Sequence, residues 1–341
     1  MKQVDLPKWR DDPFESFSDW KIEIACDDDD DDDRHQWKVY PVHKTFLAHG
    51  SRRSEYFSRL FHSETRFKEN AVNTSHIVLH LIAVEAFPVL LDYIYGSALS
   101  ITSENATALH HLGEYFEINP LQQTALEFCQ QNMSLENLHL YYVAAQQLCN
   151  EPVMSLVTEF LRAHVDNVLP THLIVEQSHP QLWIEALGLD PSQGNKRCNI
   201  YDTSDLSLVI AKMCRNQNED TLDAKTFHTL AEFLTMIHPN AALDLCELAD
   251  RYRFDDANHH GALPGLDLFQ ERCASTLSNQ WQDLQSMDDL QVEKMLQRSP
   301  EFLVSLLMQS SKRATREVDR LSTELVQSEK LLIAAQKIQW R

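Results

Sequence analysis

The chain has 341 residues, 43% of them apolar, and only 7 glycines. That is enough apolar mass for packed cores in two or more domains, and too little glycine for Gly-rich phosphate loops or a large all-β fold with many tight turns. The formal net charge of −21 repels nucleic-acid phosphates, so no nucleic-acid partner is expected.

No apolar run reaches the ~18 residues that mark a membrane span, and the first residues lack the apolar core of a secretory signal. The 7 cysteines form no C-x-x-C and are read as reduced thiols. A cytoplasmic or nuclear protein with no membrane partner is expected.

WKIEIA, 20–25, alternates like a short strand, and WKVYPV, 37–42, reads as the returning strand of a hairpin. Between them the run from Asp27 to Asp33 is expected to be a solvated loop, because adjacent like charges repel and Asp suits neither helix nor strand interiors. From His43 the period becomes helical, with a break at Gly50–Ser51 and Ser51 as the expected N-cap of the next helix. Tyr56, Phe57, Leu60 and Phe61 supply that helix's apolar stripe. HSETRFKENAVNTS reads as a polar loop and HIVLHLI, 76–82, as a strand. A helix follows with Phe87, Leu90, Leu91, Ile94 and Tyr95 on its apolar face and Gly96 as its stop. Thr102 or Ser103 is expected to cap another helix, and Pro120 to sit in the first turn of the one after. The result is an α+β domain of short strands with helices packed on one sheet.

In this order FSDWKIEI, VHKTFLAHGSRRSEYFSRLF, IVLHLIAVEAFPVLLDYIYGSALSITSENATALHHLGEYFEI and LQQTALEFCQQNM resemble a BTB/POZ domain, with the Asp run as an insertion in the first hairpin turn. The resemblance implies a homodimer whose pocket pairs an acidic residue before the first strand, here Asp19, with a basic residue after the His, here Lys44. It also implies docking of the cullin-3 scaffold of ubiquitin ligases through a hydrophobic-x-Glu motif in the loop before the third main strand. RFKEN occupies that loop, so Phe67 and Glu69 are the matching residues, and Tyr115 and Phe116 are expected either on the same surface or in the core.

The segment from Met133 resembles the start of a BACK domain, the helical extension that often follows BTB. Ser134 is its expected first N-cap, with Glu136 in the first turn. Expected boundaries are a tail at 1–17, the BTB/POZ domain at 18–132 with the acidic insertion at 27–35, a BACK-like region at 133–190 and a linker at 191–204. A second helical region follows at 205–310, and a coiled-coil-like helix at 311–341. A unit of helix, turn, helix and short Pro-started helix is legible near 135–187 and again near 239–307, and HLGEYFEINPLQQTALEFCQQNM resembles its first part. Val318, Leu321, Leu325, Ser328, Leu332 and Ala335 fall at spacings of three and four. This is the seam of a coiled coil that a BTB dimer brings together, or the face of a single amphipathic helix.

No catalytic constellation is legible. His110–His111 are neighbours on a helix, about 100° apart, and poorly placed to share one ion. His259–His260 sit in a polar loop beside Asp255 and Asp256 without a recognised metal spacing, and Cys149, Cys246 and Cys273 fall among apolar helical positions and read as core. No enzyme, cofactor or metal is expected. The leading expectation is a dimeric adaptor of a cullin-3 ubiquitin ligase with an unknown protein substrate. The alternatives are a BTB scaffold without cullin binding and, in another class, a metal-dependent enzyme using the His-rich loops. No Kelch repeat, MATH domain or zinc finger is legible to name the target.

Overall fold

A computed structural model of the chain describes residues 7–27, 37–62, 67–189, 202–217, 221–255, 266–279 and 300–339. The chain divides into two compact units, Met1–Ala163 and His164–Arg341, so the segment expected at 133–190 is shared between them.

In the first unit a short helix α1 (Pro13–Ser16) precedes strand β1 (Trp20–Cys26). Strand β2 (Lys38–Val42) returns antiparallel to β1, with Trp20 opposite Val42 and Ile24 opposite Lys38. Helices α2 (Lys44–Ala48), α3 (Glu55–His62) and α4 (Lys68–Val72) then carry the chain over to β3 (Thr74–Leu79). β3 lies parallel to β1, Lys21 against Thr74 and Cys26 against Leu79, so the sheet order is β2-β1-β3. The side chains of one sheet face, Trp20, Ile22, Ile24, Tyr40, Val42, Ile77 and Leu79, are buried with Leu47, Phe57, Phe87 and Leu90 from the helices. This is the period-two alternation of a half-buried sheet meeting helical stripes.

Several expected boundaries move. The third strand starts two residues earlier than 76 and ends at Leu79, because helix α5 (Leu81–Ile94) takes Leu81 and Ile82. The N-cap of α3 is Ser54 and not Ser51: its Oγ accepts the Phe57 amide (3.1 Å) and donates to the Phe116 carbonyl (2.6 Å). The polar segment before β3 contains α4, held to α3 by Asn70 Nδ2 donating to the Leu60 carbonyl (3.0 Å). Gly96 does stop α5, at φ +91°, a left-handed backbone that costs glycine nothing, and Ser97 N–H closes back onto the Asp92 carbonyl at 2.9 Å. Of the acidic insertion, residues 28–36 lie outside the described residues.

Helices α6 (Ala106–Tyr115) and α7 (Asn119–Asn132) form one antiparallel pair, and α8 (Leu138–Gln147) and α9 (Glu151–His164) follow with the same local design. Asn105 Oδ1 accepts the Thr102 amide (2.8 Å) and Nδ2 donates to the Ser100 carbonyl (3.0 Å). Asn137 repeats this with the Ser134 amide (2.7 Å) and the Asn132 carbonyl (2.9 Å). The interval from Asn105 to Asn137 also separates Glu117 from Cys149, the two left-handed residues after the first helix of each pair (φ +53° and +49°). The internal similarity is therefore seen in backbone geometry here. Ser134 is not the N-cap; α8 begins after Asn137. α6 likewise begins after Asn105, beyond the Thr102 or Ser103 expected as its cap. Cys149 is exposed in the turn rather than in a core, while Cys246 and Cys273 are buried as expected.

The second unit contains α10 (Leu173–Gln177), α11 (Pro180–Ala186), α12 (Ser204–Arg215), α13 (Ala224–Phe233), α14 (Pro239–Asp255) and α15 (Leu266–Asn279). Ion pairs Lys212–Glu176 (2.5 Å) and Arg215–Asp244 (2.9 Å) tie α12 to α10 and α14. Pro300 does not open a short helix. It opens α16 (Pro300–Gln339), 40 residues long, which runs unbroken across the boundary expected at 310/311.

Candidate interaction surfaces

Asp19 and Lys44 lie together at the sheet end, but through the backbone. Asp19 Oδ1 accepts the Lys44 amide N–H at 2.8 Å. The Lys44 ammonium donates to Asn73 Oδ1 (2.9 Å) and sits 4.6 Å from the Trp20 ring centre. His43, just before, is buried and bridges two distant segments. Its Nε2 is 2.7 Å from the Ser16 carbonyl, which only accepts, so Nε2 carries the proton. In the neutral ring Nδ1 then accepts from the Tyr95 hydroxyl (2.8 Å), whose oxygen accepts the His43 amide (2.8 Å). Burial pushes the Tyr95 phenol well above its usual range.

Through Ser16 this histidine fixes the base of α1. Asp12 caps that helix by accepting the Phe14 and Glu15 amides (2.9 and 3.3 Å). The turn presents Phe14 and Phe17 to solvent, 91% and 82% exposed. A sequence reading that treats residues 1–17 as a tail misses both; the available signal is Asp-Pro-Phe, a cap followed by proline in the first turn.

The second surface gathers on α3, α4 and α6. Phe67 stands at the start of α4, 49% exposed, with Glu69 in the first turn. Tyr56 on α3 lies 6.1 Å from Tyr115 on α6, ring centre to ring centre. Burial raises the Tyr56 phenol above its usual value, and the Tyr115 phenol and the Glu69 carboxylate push it the same way. Tyr115 is exposed. Phe116 is not: it is 0% exposed, stacked on Phe57 with ring centres 5.5 Å apart and planes 11° from parallel. The expectation that Phe116 belongs to the surface is corrected, because adjacent residues at a helix end point in different directions and the core claims the second. Tyr56, read only as part of an apolar stripe, takes its place.

A family model for the BTB/POZ domain matches residues 20–133. Residues 20–133 are a BTB/POZ domain. Kelch-like protein 25 from Rattus norvegicus and from Mus musculus is 32% identical to this chain over 101 residues, and that from Homo sapiens 31%. The similarity covers 29% of this chain and 16% of each relative, so it spans about a sixth of the relatives' length. Both surfaces described above lie within the BTB/POZ domain or at its edge.

Outside the BTB/POZ domain, Val318, Leu321 and Leu325 of the expected seam are exposed along α16; the side chain of Leu332 lies outside the described residues. No helix among the described residues is long and apolar enough to cross a membrane. Among the described residues no three His, Cys, Asp or Glu side chains are grouped to hold a metal ion. His110 is buried with Nδ1 2.8 Å from Asn150 Nδ2, and His259–His260 lie outside the described residues.

Proposed function

We propose that the protein is a non-catalytic, dimeric protein–protein interaction adaptor that docks cullin-3 and holds a protein substrate for ubiquitin transfer. The observation that carries this reading is the half-exposed Phe67 at the start of α4, with Glu69 in that helix's first turn, within the BTB/POZ domain. An exposed aromatic with a carboxylate in the same helical turn has the composition of a binding hot spot, an apolar anchor with a polar neighbour. Self-association is supported by Phe14 and Phe17, an apolar knob next to the Asp19–Lys44 contact that a second copy would cover. The adaptor contributes proximity and orientation, and the bond-making belongs to the recruited ligase.

The test is a titration of the purified chain against the N-terminal domain of cullin-3. Low-micromolar or tighter binding, about −8 kcal/mol or better, weakened at least about tenfold by Phe67→Ala or Glu69→Ala, supports the reading. A folded dimer that does not bind leaves a BTB scaffold that assembles complexes through Phe14 and Phe17 alone.

A further inference from the structure

Among the described residues, helix α16 packs on α15 through one side. Leu306 is 2% exposed, Gln309 donates to Glu271 (3.3 Å) and Arg313 donates to the Ser278 carbonyl (2.7 Å). With Val318 and Leu325 at heptad position a and Leu321 at d, these three packed residues fall at c, f and c. Val304 and Leu307, at a and d of the same turns, are exposed, Leu307 by 61%. The apolar seam therefore faces away from α15 even where the two helices touch. It continues along residues 311–331, all of which are exposed. In proteins a helix draws most of its stability from covering its apolar stripe rather than from intrinsic propensity.

The charges beside the seam decide what covers it. The charged residues at e and g among 311–331 are Glu317, Glu324 and Glu329; the basic residues Lys312, Arg313, Arg316, Arg320 and Lys330 sit at b, c and f. Arg320 grips Glu317 (2.6 Å) and Glu324 (2.8 Å) from the c position, which holds both carboxylates along one flank. A second copy in parallel register brings Glu324 opposite Glu329 of its partner. An antiparallel copy brings the g flanks, Glu317 and Glu324, against each other. Like charges meet in both arrangements, and e and g charges set partner choice in paired helices.

We propose that this seam docks a helix of another protein whose apolar a/d stripe is flanked by Lys or Arg at e and g. The site is independent of the BTB/POZ surfaces and stands whether or not the chain binds a cullin.

The probes are three synthetic helices of about four heptads: Leu at a and d with Lys at e and g, the same with Glu at e and g, and the Lys-flanked version with Ser at a and d. Each is titrated against the full chain. The expected result is that the first binds at least about tenfold tighter than the other two. Glu317→Lys, Glu324→Lys and Glu329→Lys together reverse the preference toward the Glu-flanked helix, and Val318→Asp with Leu325→Asp abolishes binding. All of these positions are exposed, so the variants keep the fold. Equal binding of the Ser-striped helix would mean bulk charge attraction and overturn the proposal, as would no preference between Lys and Glu flanks or no binding of the Lys-flanked helix. Self-association that is lost in Val318→Asp with Leu325→Asp but kept in Phe14→Ala with Phe17→Ala would put a second copy in the seam and also overturn it.

Discussion

Asp19 holds Lys44 by its backbone: the carboxylate accepts the Lys44 amide at 2.8 Å, while the Lys44 ammonium turns away to Asn73 and the face of Trp20. His43, at the N-cap position of α2, makes no side-chain cap bond, so Asp19 satisfies the first amide of that helix from a distance in sequence. Asp19→Ala is expected to lower stability by about 1–2 kcal/mol, the cost of an N-cap or charged hydrogen bond. Asp19→Asn keeps most of it. Lys44→Ala retains the amide and loses an exposed hydrogen bond to Asn73 and a cation–π contact with Trp20, about 0.5–1 kcal/mol. Urea unfolding of the three variants separates them. If Asp19→Ala and Lys44→Ala cost the same and the double variant costs no more, the contact is a side-chain pair and this account fails.

Tyr115 and Phe116 are neighbours with opposite fates. Phe116→Ala empties a site stacked by Phe57 and met by Phe87, and is expected to cost about 3–5 kcal/mol. Tyr115→Ala removes an exposed ring and is expected to cost about 1 kcal/mol or less. Thermal melts of both are the check, and comparable losses would place Tyr115 in the core with its neighbour.

Gly113 lies where α6 crosses α7. A Cβ there would meet the Gln122 backbone nitrogen at 2.8 Å, so the helices must part to admit it. Gly113→Ala is expected to destabilise by about 1–3 kcal/mol despite alanine's better helix propensity. At Gly96 the space is open and only the positive φ opposes a side chain, so Gly96→Ala is expected to cost about 1 kcal/mol. A stabilising Gly113→Ala in denaturant titration would show that the crossing is looser than drawn.

What the sequence made legible is what the core itself writes into it. Ile22, Ile24, Val42 and Ile77 alternate because one sheet face is buried, and Phe87, Leu90, Leu91 and Ile94 recur because one helix face is. Exact helix starts depend on partners far along the chain. Ser51 and Ser54 are equally good caps locally; Ser54 wins because its hydroxyl also reaches the Phe116 carbonyl. α4 is short and polar, and its hold on α3 through Asn70 leaves no periodic trace. Phe14 and Phe17 are not legible as a presented pair, because what fixes their turn is His43, two strands further along the chain, through the Ser16 carbonyl. Phe67 and Glu69 are readable only through resemblance; that Tyr56 meets Tyr115 needs the three-dimensional placement of α3 beside α6.

His110 makes stability depend on pH with a definite sign. The ring is buried, and Asn150 fixes its state: Asn150 Oδ1 accepts the Val153 amide (3.2 Å), so Nδ2 is the donor facing His110 Nδ1 at 2.8 Å. That nitrogen must be unprotonated. Burial lowers the His110 pKa, Glu114 opposes this, and His111 adds to the lowering; burial lowers His111 as well. An unfolded chain titrates both rings near their ordinary value of ~6.5. Above that pH neither state binds these protons and the contribution is complete. As pH falls below it, the unfolded chain takes up protons that the native state refuses, and stability drops by up to about 1.4 kcal/mol per pH unit for each ring until the native pKa is reached. His110→Gln removes one of the two. Its stability is expected to fall less steeply than wild type between about pH 7 and about pH 5.5, a window above the ordinary carboxylate range. Urea midpoints at intervals across that window are the measurement; parallel curves for wild type and His110→Gln would mean that His110 is protonated inside the fold, with Asn150 turned to accept from it.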